Sequence, residues 1–253
     1  MKVMSLFAGI GGFDLAAEWM GWETVVMVEW DKKRQVWLKK LYPKAVIHGN
    51  IDTFDNTPYR GSIDLICGGE PCQGNSVAGN RKGAADERFK WPAYLQQVEE
   101  VRPLWVVNEN VPGSIFNGIL DRKISDLAAI GYTSWPPLVI PASAVGANHK
   151  RERVHLIAYP VRPGREQLNA ATLSVEQTER HVRYRAECAA SSWSVAGYTD
   201  TSEILREADG LSSGIPASDR NKAIESLGNA VIPQVIFQLF KAINEVNKSY
   251  KTF

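Results

Sequence analysis

Short apolar runs alternate with helix-length stretches over the first 160 residues, and that order leaves few architectures open. Val3–Phe7 reads as a buried strand and Gly11–Met20 as a helix that starts at the glycines. Thr24–Val28 is a second strand, followed by a helix through Leu41. Ala45–Ile47, Ile63–Cys67 and Leu104–Val107 are a third, fourth and fifth strand. Ile115–Ile130 reads as a helix stopped by Gly131, and Val154–Tyr159 as a later strand. Strands joined through helices of this length run parallel in a sheet covered on both faces. The predicted fold is therefore α/β, with a doubly wound, mostly parallel sheet. Such sheets bind ligands at the carboxyl ends of their strands.

At 253 residues the chain has room for one sizeable α/β domain and a small addition. No apolar run reaches membrane-spanning length, and the first strand starts at once, so neither a membrane anchor nor a signal peptide is expected. The three cysteines, Cys67, Cys72 and Cys188, form no CxxC pair. No metal site and no disulfide framework are expected, which fits a reducing cytoplasm. The net charge of +1 does not by itself announce a nucleic-acid partner. Lys and Arg are nevertheless concentrated between Lys150 and Arg185.

The chemistry-bearing residues fall at the predicted strand ends. The first strand runs into Phe7-Ala8-Gly9-Ile10-Gly11-Gly12, where glycines let a backbone approach a ligand and expose helix N-terminal amides. The second ends in Glu29-Trp30, an acid placed to accept ribose hydroxyls and an aromatic placed to lie on a base. The third leads to Gly49-Asn50-Ile51, the fourth to Gly69-Glu70-Pro71-Cys72-Gln73 and the fifth to Glu109-Asn110-Val111. Arg151-Glu152-Arg153 precedes the later strand, and Gly228-Asn229-Ala230-Val231 comes late. A nucleotide-type cofactor turn, a thiol, a carboxylate and two arginines are in hand. Each alone has a plain structural reading, because a cysteine after a strand is usually a small buried hydrophobe, as Cys67 is expected to be.

Taken in order and spacing, these motifs resemble the DNA (cytosine-5)-methyltransferase family over most of the chain. The resemblance implies S-adenosylmethionine as cofactor, released as S-adenosylhomocysteine. It implies a site from Phe7, Gly9, Ile10, Gly11, Gly12, Glu29, Trp30, Asn50, Ile51, Pro71, Trp91, Asn229 and Val231. It makes Cys72 the nucleophile, Glu109 the acid at the cytosine ring, Arg153 the cation at oxygen 2, and Arg151 a residue that orients the loop or binds a phosphate. A Glu109 carboxyl half-buried at a strand end is expected to have a raised pKa. Gln73, Ser76, Arg81 and Arg88, in a small polar basic segment read as a loop closing over extruded DNA, become DNA contacts. The partner implied is double-stranded DNA. A monomer is expected, and a cognate restriction enzyme is compatible with the resemblance.

Three positions depart from the family pattern. Asn50 replaces the usual Asp, Asn148 the usual Pro, and Glu70 the usual apolar or aromatic residue. Glu70 is expected to point outward or to pair with a base such as Arg153, and hence to tolerate replacement.

Near Pro160 the apolar periodicity fades. The expected organisation is a catalytic domain at 1–160, a small target-recognition region at 161–218 and a segment returning to the catalytic domain at 219–253. His181, Arg183 and Arg185 alternate, so on a strand they would share a face. Arginines so placed can read guanine edges, and a charged edge strand is the competing reading. The stretch from Leu205 to Arg220 resembles small phage-type members. Two rival functions are methylation of cytosine in tRNA on the same scaffold and DNA binding without catalysis. An amino-group methyltransferase would instead need a Pro-Pro-aromatic motif where this chain has Pro71-Cys72-Gln73.

Overall fold

The computed structural model describes residues 1–71, 89–147, 150–161 and 230–251. Its centre is an eight-stranded sheet. Five strands are parallel, in the order β3 (Val46–His48), β2 (Glu23–Val28), β1 (Lys2–Leu6), β4 (Leu65–Gly68), β5 (Trp105–Asn110). β8 (Arg153–Pro160) lies antiparallel to β5 and carries β6 (Tyr132–Ser134) and β7 (Leu138–Ile140), both antiparallel to it. The strand order reverses direction at β1, so the ends of β1 and β4 border the crevice where doubly wound sheets hold ligands.

Period-2 alternation divides the strand residues between two faces. Met4, Leu6, Ile66 and Val106 face α3 (Trp91–Val101) and α5 (Ile119–Ala129), against Tyr94, Val98, Leu120 and Leu127. Val3, Leu65, Cys67, Trp105 and Val107 face α1 (Gly12–Trp19) and α6 (Pro233–Lys251), against Phe13, Ile236, Phe240 and Ile243. α2 (Lys32–Leu41) contributes Leu38 against Ala8 and Met27, and Asp31 caps its N-terminus by accepting from the amides of Lys33 and Arg34. Each fully buried Leu, Ile, Val or Phe contributes roughly 1.5–3 kcal/mol. Cys67 is fully buried, as expected of a small hydrophobe.

Several elements differ from the sequence reading. The helix expected over 115–130 is two helices, α4 (Gly113–Phe116) and α5, parted where Gly118 takes φ 74° and Asn117 Oδ1 accepts from the amide of Ile119. α3, β6 and β7 were not anticipated. The chain divides into two units, Met1–Thr172 with Val231–Phe253, and Leu173–Ala230. Apart from Val161, the expected recognition region lies outside the described residues. Among the described residues no helix is long and apolar enough to cross a membrane, and no acid, His or Cys cluster could hold a metal ion.

Candidate active site

The first strand ends in a turn held by unusual backbone. Phe7 takes φ 55°, which a bulky residue adopts only under constraint, and Gly9 and Gly11 have φ 61° and 86°. Glu29, buried at the end of β2, accepts from the amide of Gly9 at 2.7 Å and of Asp31 at 2.9 Å, with the Arg34 guanidinium 3.7 Å away. The carboxylate thus holds the glycine turn in place and keeps acceptor sites for a ligand hydroxyl, since two oxygens offer about four. Beside it, just past the carboxyl end of β2, Trp30 is 76% exposed, a flat surface suited to stacking. Gly12 has a different reason to be glycine. A Cβ there would lie 2.7 Å from Val231 Cγ2 and 2.9 Å from its carbonyl oxygen. The late Val231 therefore returns to the turn and packs on it. Ile51 is buried, and Asn50 Oδ1 accepts from the amide of Asp52 at 3.0 Å, capping a short turn. These residues fit an adenosine-type ligand. The engagement of the Asn50 oxygen leaves it less to offer than a carboxylate would.

The ends of β4 and β5 form the second half of the site. Gly68 and Gly69 are tightly hemmed: a Cβ at Gly68 would lie 2.2 Å from Leu6 O, and one at Gly69 2.7 Å from Glu109 Oε2. Glu109 is buried and ion-paired with Arg153 Nε at 2.9 Å. Burial pushes its pKa up to about 7, against the opposing pull of Arg153 and Arg151, as its strand-end position suggested. Arg151 takes φ 29°, and burial and the Arg153 charge lower its pKa. His155, opposite Glu109 across the strand pair, is driven by burial to about 4 and is therefore neutral at pH 7.

Glu70 requires a correction. It neither points outward nor meets Arg153. It is buried and ion-paired with Lys123 of α5, and it accepts from Asn108 Nδ2 at 2.8 Å and Asn110 Nδ2 at 2.9 Å. Lys123 and Asn108 were missed from the sequence, because a lysine among Asp121, Arg122 and Asp126 reads as part of a solvated helix face. Trp91 is also set apart from the cofactor residues. It is fully buried, stacks on Tyr94 and donates from its indole to Asp126 at 2.9 Å, so no ring face is open to a ligand. Pro71, next to the expected nucleophile, is exposed. Cys72, Gln73, Ser76, Arg81, Arg88, Asn148, Arg183, Arg185 and Asn229 lie outside the described residues.

Residues 1–208 match the family described as C-5 cytosine-specific DNA methylase. The type II methyltransferase M.Eco47II of Escherichia coli is 34% identical over 162 residues, covering 62% of this chain and 39% of that protein. M.HhaI of Haemophilus parahaemolyticus is 34% identical over 163 residues, covering 63% and 49%. This chain thus spans less than half the length of either relative. Among solved structures, a DNA modification methyltransferase encoded within an E. coli prophage is similar, with TM-score 0.52 and 26% identity over 63% of this chain and 47% of that one. Spodoptera frugiperda DNMT2 shares the fold, with TM-score 0.53 and 21% identity over 63% of this chain and 50% of that one.

Proposed function

The chain belongs to the C-5 cytosine-specific DNA methylase family, and on that premise we propose that it transfers a methyl group to carbon 5 of cytosine in double-stranded DNA. The observation that carries the reading is the Glu109–Arg153 pair, set against Gly69 three residues before Cys72, on the same strand-end edge as the glycine turn. S-Adenosylmethionine, when bound, supplies an electrophilic methyl group on a sulfonium. Glu29 and the Phe7–Gly12 turn would hold its ribose side, with Trp30 against the adenine.

Carbon 5 of cytosine is a weak nucleophile. A Cys72 thiolate adding to carbon 6 turns the ring into an enamine whose carbon 5 can accept the methyl group. Loss of the carbon-5 proton and of the thiolate then restores the aromatic ring. A cation beside the thiol would favour the thiolate, and Arg151 and Arg153 are the candidates. A Glu109 carboxyl with a pKa of about 7 can be protonated near neutrality and donate to ring nitrogen 3. Arg153 supports the charge that grows on oxygen 2. A base inside a duplex cannot reach a cysteine at a strand end, so the target nucleotide is extruded. The reading takes the protein as a monomer on DNA, with a cognate restriction enzyme as a candidate companion.

Bisulfite sequencing of DNA from cells expressing the protein should reveal a methylated site. DNA with 5-fluorocytosine at that site should form a stable adduct, since fluorine blocks elimination. The adduct should vanish in Cys72→Ser and persist in Cys67→Ser. An adduct that persists in Cys72→Ser means another nucleophile. Calorimetry should show S-adenosylhomocysteine binding, weakened in Glu29→Ala.

A further inference from the structure

A buried ion pair lies behind β5, and the reaction scheme makes no use of it. Glu70 is 4% exposed and Lys123 1%. Besides meeting Glu70, Lys123 Nζ donates to Asn108 Oδ1 at 2.7 Å and lies 5.0 Å from the centre of the Trp91 ring. Taking two charges out of water costs several kcal/mol per ion, and apolar side chains of similar volume would fill the space at less cost. What the charges add is direction, because the donors of Asn108, Asn110 and Lys123 converge on one carboxylate.

Side chains alternate across a strand. Asn108 and Asn110 therefore face α5, while Glu109 between them faces Arg153. Glu70 follows Gly69, whose backbone lies under Glu109 Oε2. The network thus fixes the backbone on both sides of Glu109 and directly after Gly69. We infer that Glu70, Lys123, Asn108 and Asn110 form a positioning clamp that sets the Glu109 carboxyl against the chain end leading into Cys72. The inference rests on the roles proposed above for Cys72 and Glu109.

Among the described residues, the charged and titratable groups around Glu109 are Arg151, Arg153 and His155 from β8 and its approach, with Glu70 and Lys123 behind β5. Glu70 and Lys123 act on Glu109 in opposite directions. Removing both together leaves their combined field little changed, so a change in Glu109 titration then reports geometry.

The deciding variant is Glu70→Gln with Lys123→Met, compared with each single change. Each single change leaves a buried charge unpaired and should lower the melting temperature, and the double should recover it. In the double, the 13C carboxyl resonance of Glu109, assigned by its loss in Glu109→Gln, should titrate lower by about one pH unit as water enters. Single-turnover methyl transfer should slow by about ten- to a hundredfold, because a displacement near 1 Å costs about that much. Affinity for S-adenosylhomocysteine should be unchanged. A folded double variant with the wild-type midpoint and rate would overturn the clamp and leave a packing role. Should the double not fold, Lys123→Arg keeps both charges but shifts the carboxylate, and the same two readouts decide. A wild-type protein that methylates no DNA would overturn the functional reading, while the titration would still decide the clamp.

Discussion

Glu70→Phe deletes the acceptor shared by three buried donors, Lys123 Nζ, Asn108 Nδ2 and Asn110 Nδ2. Breaking a buried pair from one side strands the other charge and costs about 3–5 kcal/mol. Urea unfolding should show a loss of that size, and Glu70→Phe with Lys123→Leu should recover most of it. An unchanged unfolding midpoint in Glu70→Phe would show that Lys123 finds another partner. From the sequence alone the same substitution looks harmless, because Glu70 flanks the proposed nucleophile and its partner lies 53 positions away on a helix. Glu109 and Arg153 are legible for the opposite reason. A carboxylate at the end of a buried strand and an arginine at the start of another have their surroundings written by the strand pattern itself. Lys123 has no such local signature, since burial of one residue on a charged helix face is decided by what packs against it.

Two contacts on α1 decide how that helix sits on the sheet. At its start, Gly12→Ala would press a methyl group against the Val231 side chain and carbonyl. Overpacking of this kind costs about 1–3 kcal/mol. Thermal unfolding should show the loss, and adding Val231→Ala should restore only part of it, because the carbonyl contact remains. Full recovery would mean that the side chain alone is responsible. Two residues on, Asp14 is fully buried and accepts from Ser5 Oγ at 3.0 Å and Thr24 Oγ1 at 3.1 Å. Burial raises its pKa from 3.8 to about 6. The folded state therefore holds this proton more tightly than the unfolded chain. The resulting stability is fully present below pH 3.8 and is lost as pH rises through about 6. Asp14→Asn keeps the shape and removes the titration, so its stability relative to wild type should improve between pH 4 and pH 7 by about 2–3 kcal/mol. Glu109 titrates in both proteins and cancels in the difference. Parallel curves would show that Asp14 keeps its charge at no cost. Among the elements, β1, β4, β5 and β8 are legible because their runs are buried over most of their length, Leu65–Gly68 and Trp105–Asn110 throughout. β6 and β7, three residues each, carry too few positions to show a period. α4 and α5 run together in the sequence because apolar spacing continues past Asn117-Gly118, although that pair is itself a turn signal.

At the scale of the whole molecule, the parallel sheet gathers residues distant in sequence onto one edge, from Phe7 and Glu29 to Gly69 and Glu109. That gathering follows from topology, so the edge that carries the candidate site could be located before any coordinates. The choice of DNA sequence has no such rule behind it. With a net charge of +1, the chain as a whole does not attract DNA strongly, so on the proposed function affinity has to come from local cations. Arg183 and Arg185, in an alternating run with His181, are the candidates the sequence offers for base contact within the expected recognition region. A region of this size should read a short site, on the order of 2–4 base pairs. An arginine gripping a guanine at two points should cost about 1–3 kcal/mol when replaced by alanine and should relax preference at one position. An arginine touching only phosphate should weaken binding about equally for every sequence and flatten the salt dependence by about one unit of slope. Methylation of a randomised-site library by wild type, Arg183→Ala and Arg185→Ala, read by bisulfite sequencing at two salt concentrations, separates the cases. If both variants keep the wild-type preference and rate, the recognition role falls and the reading of a charged edge strand is left standing.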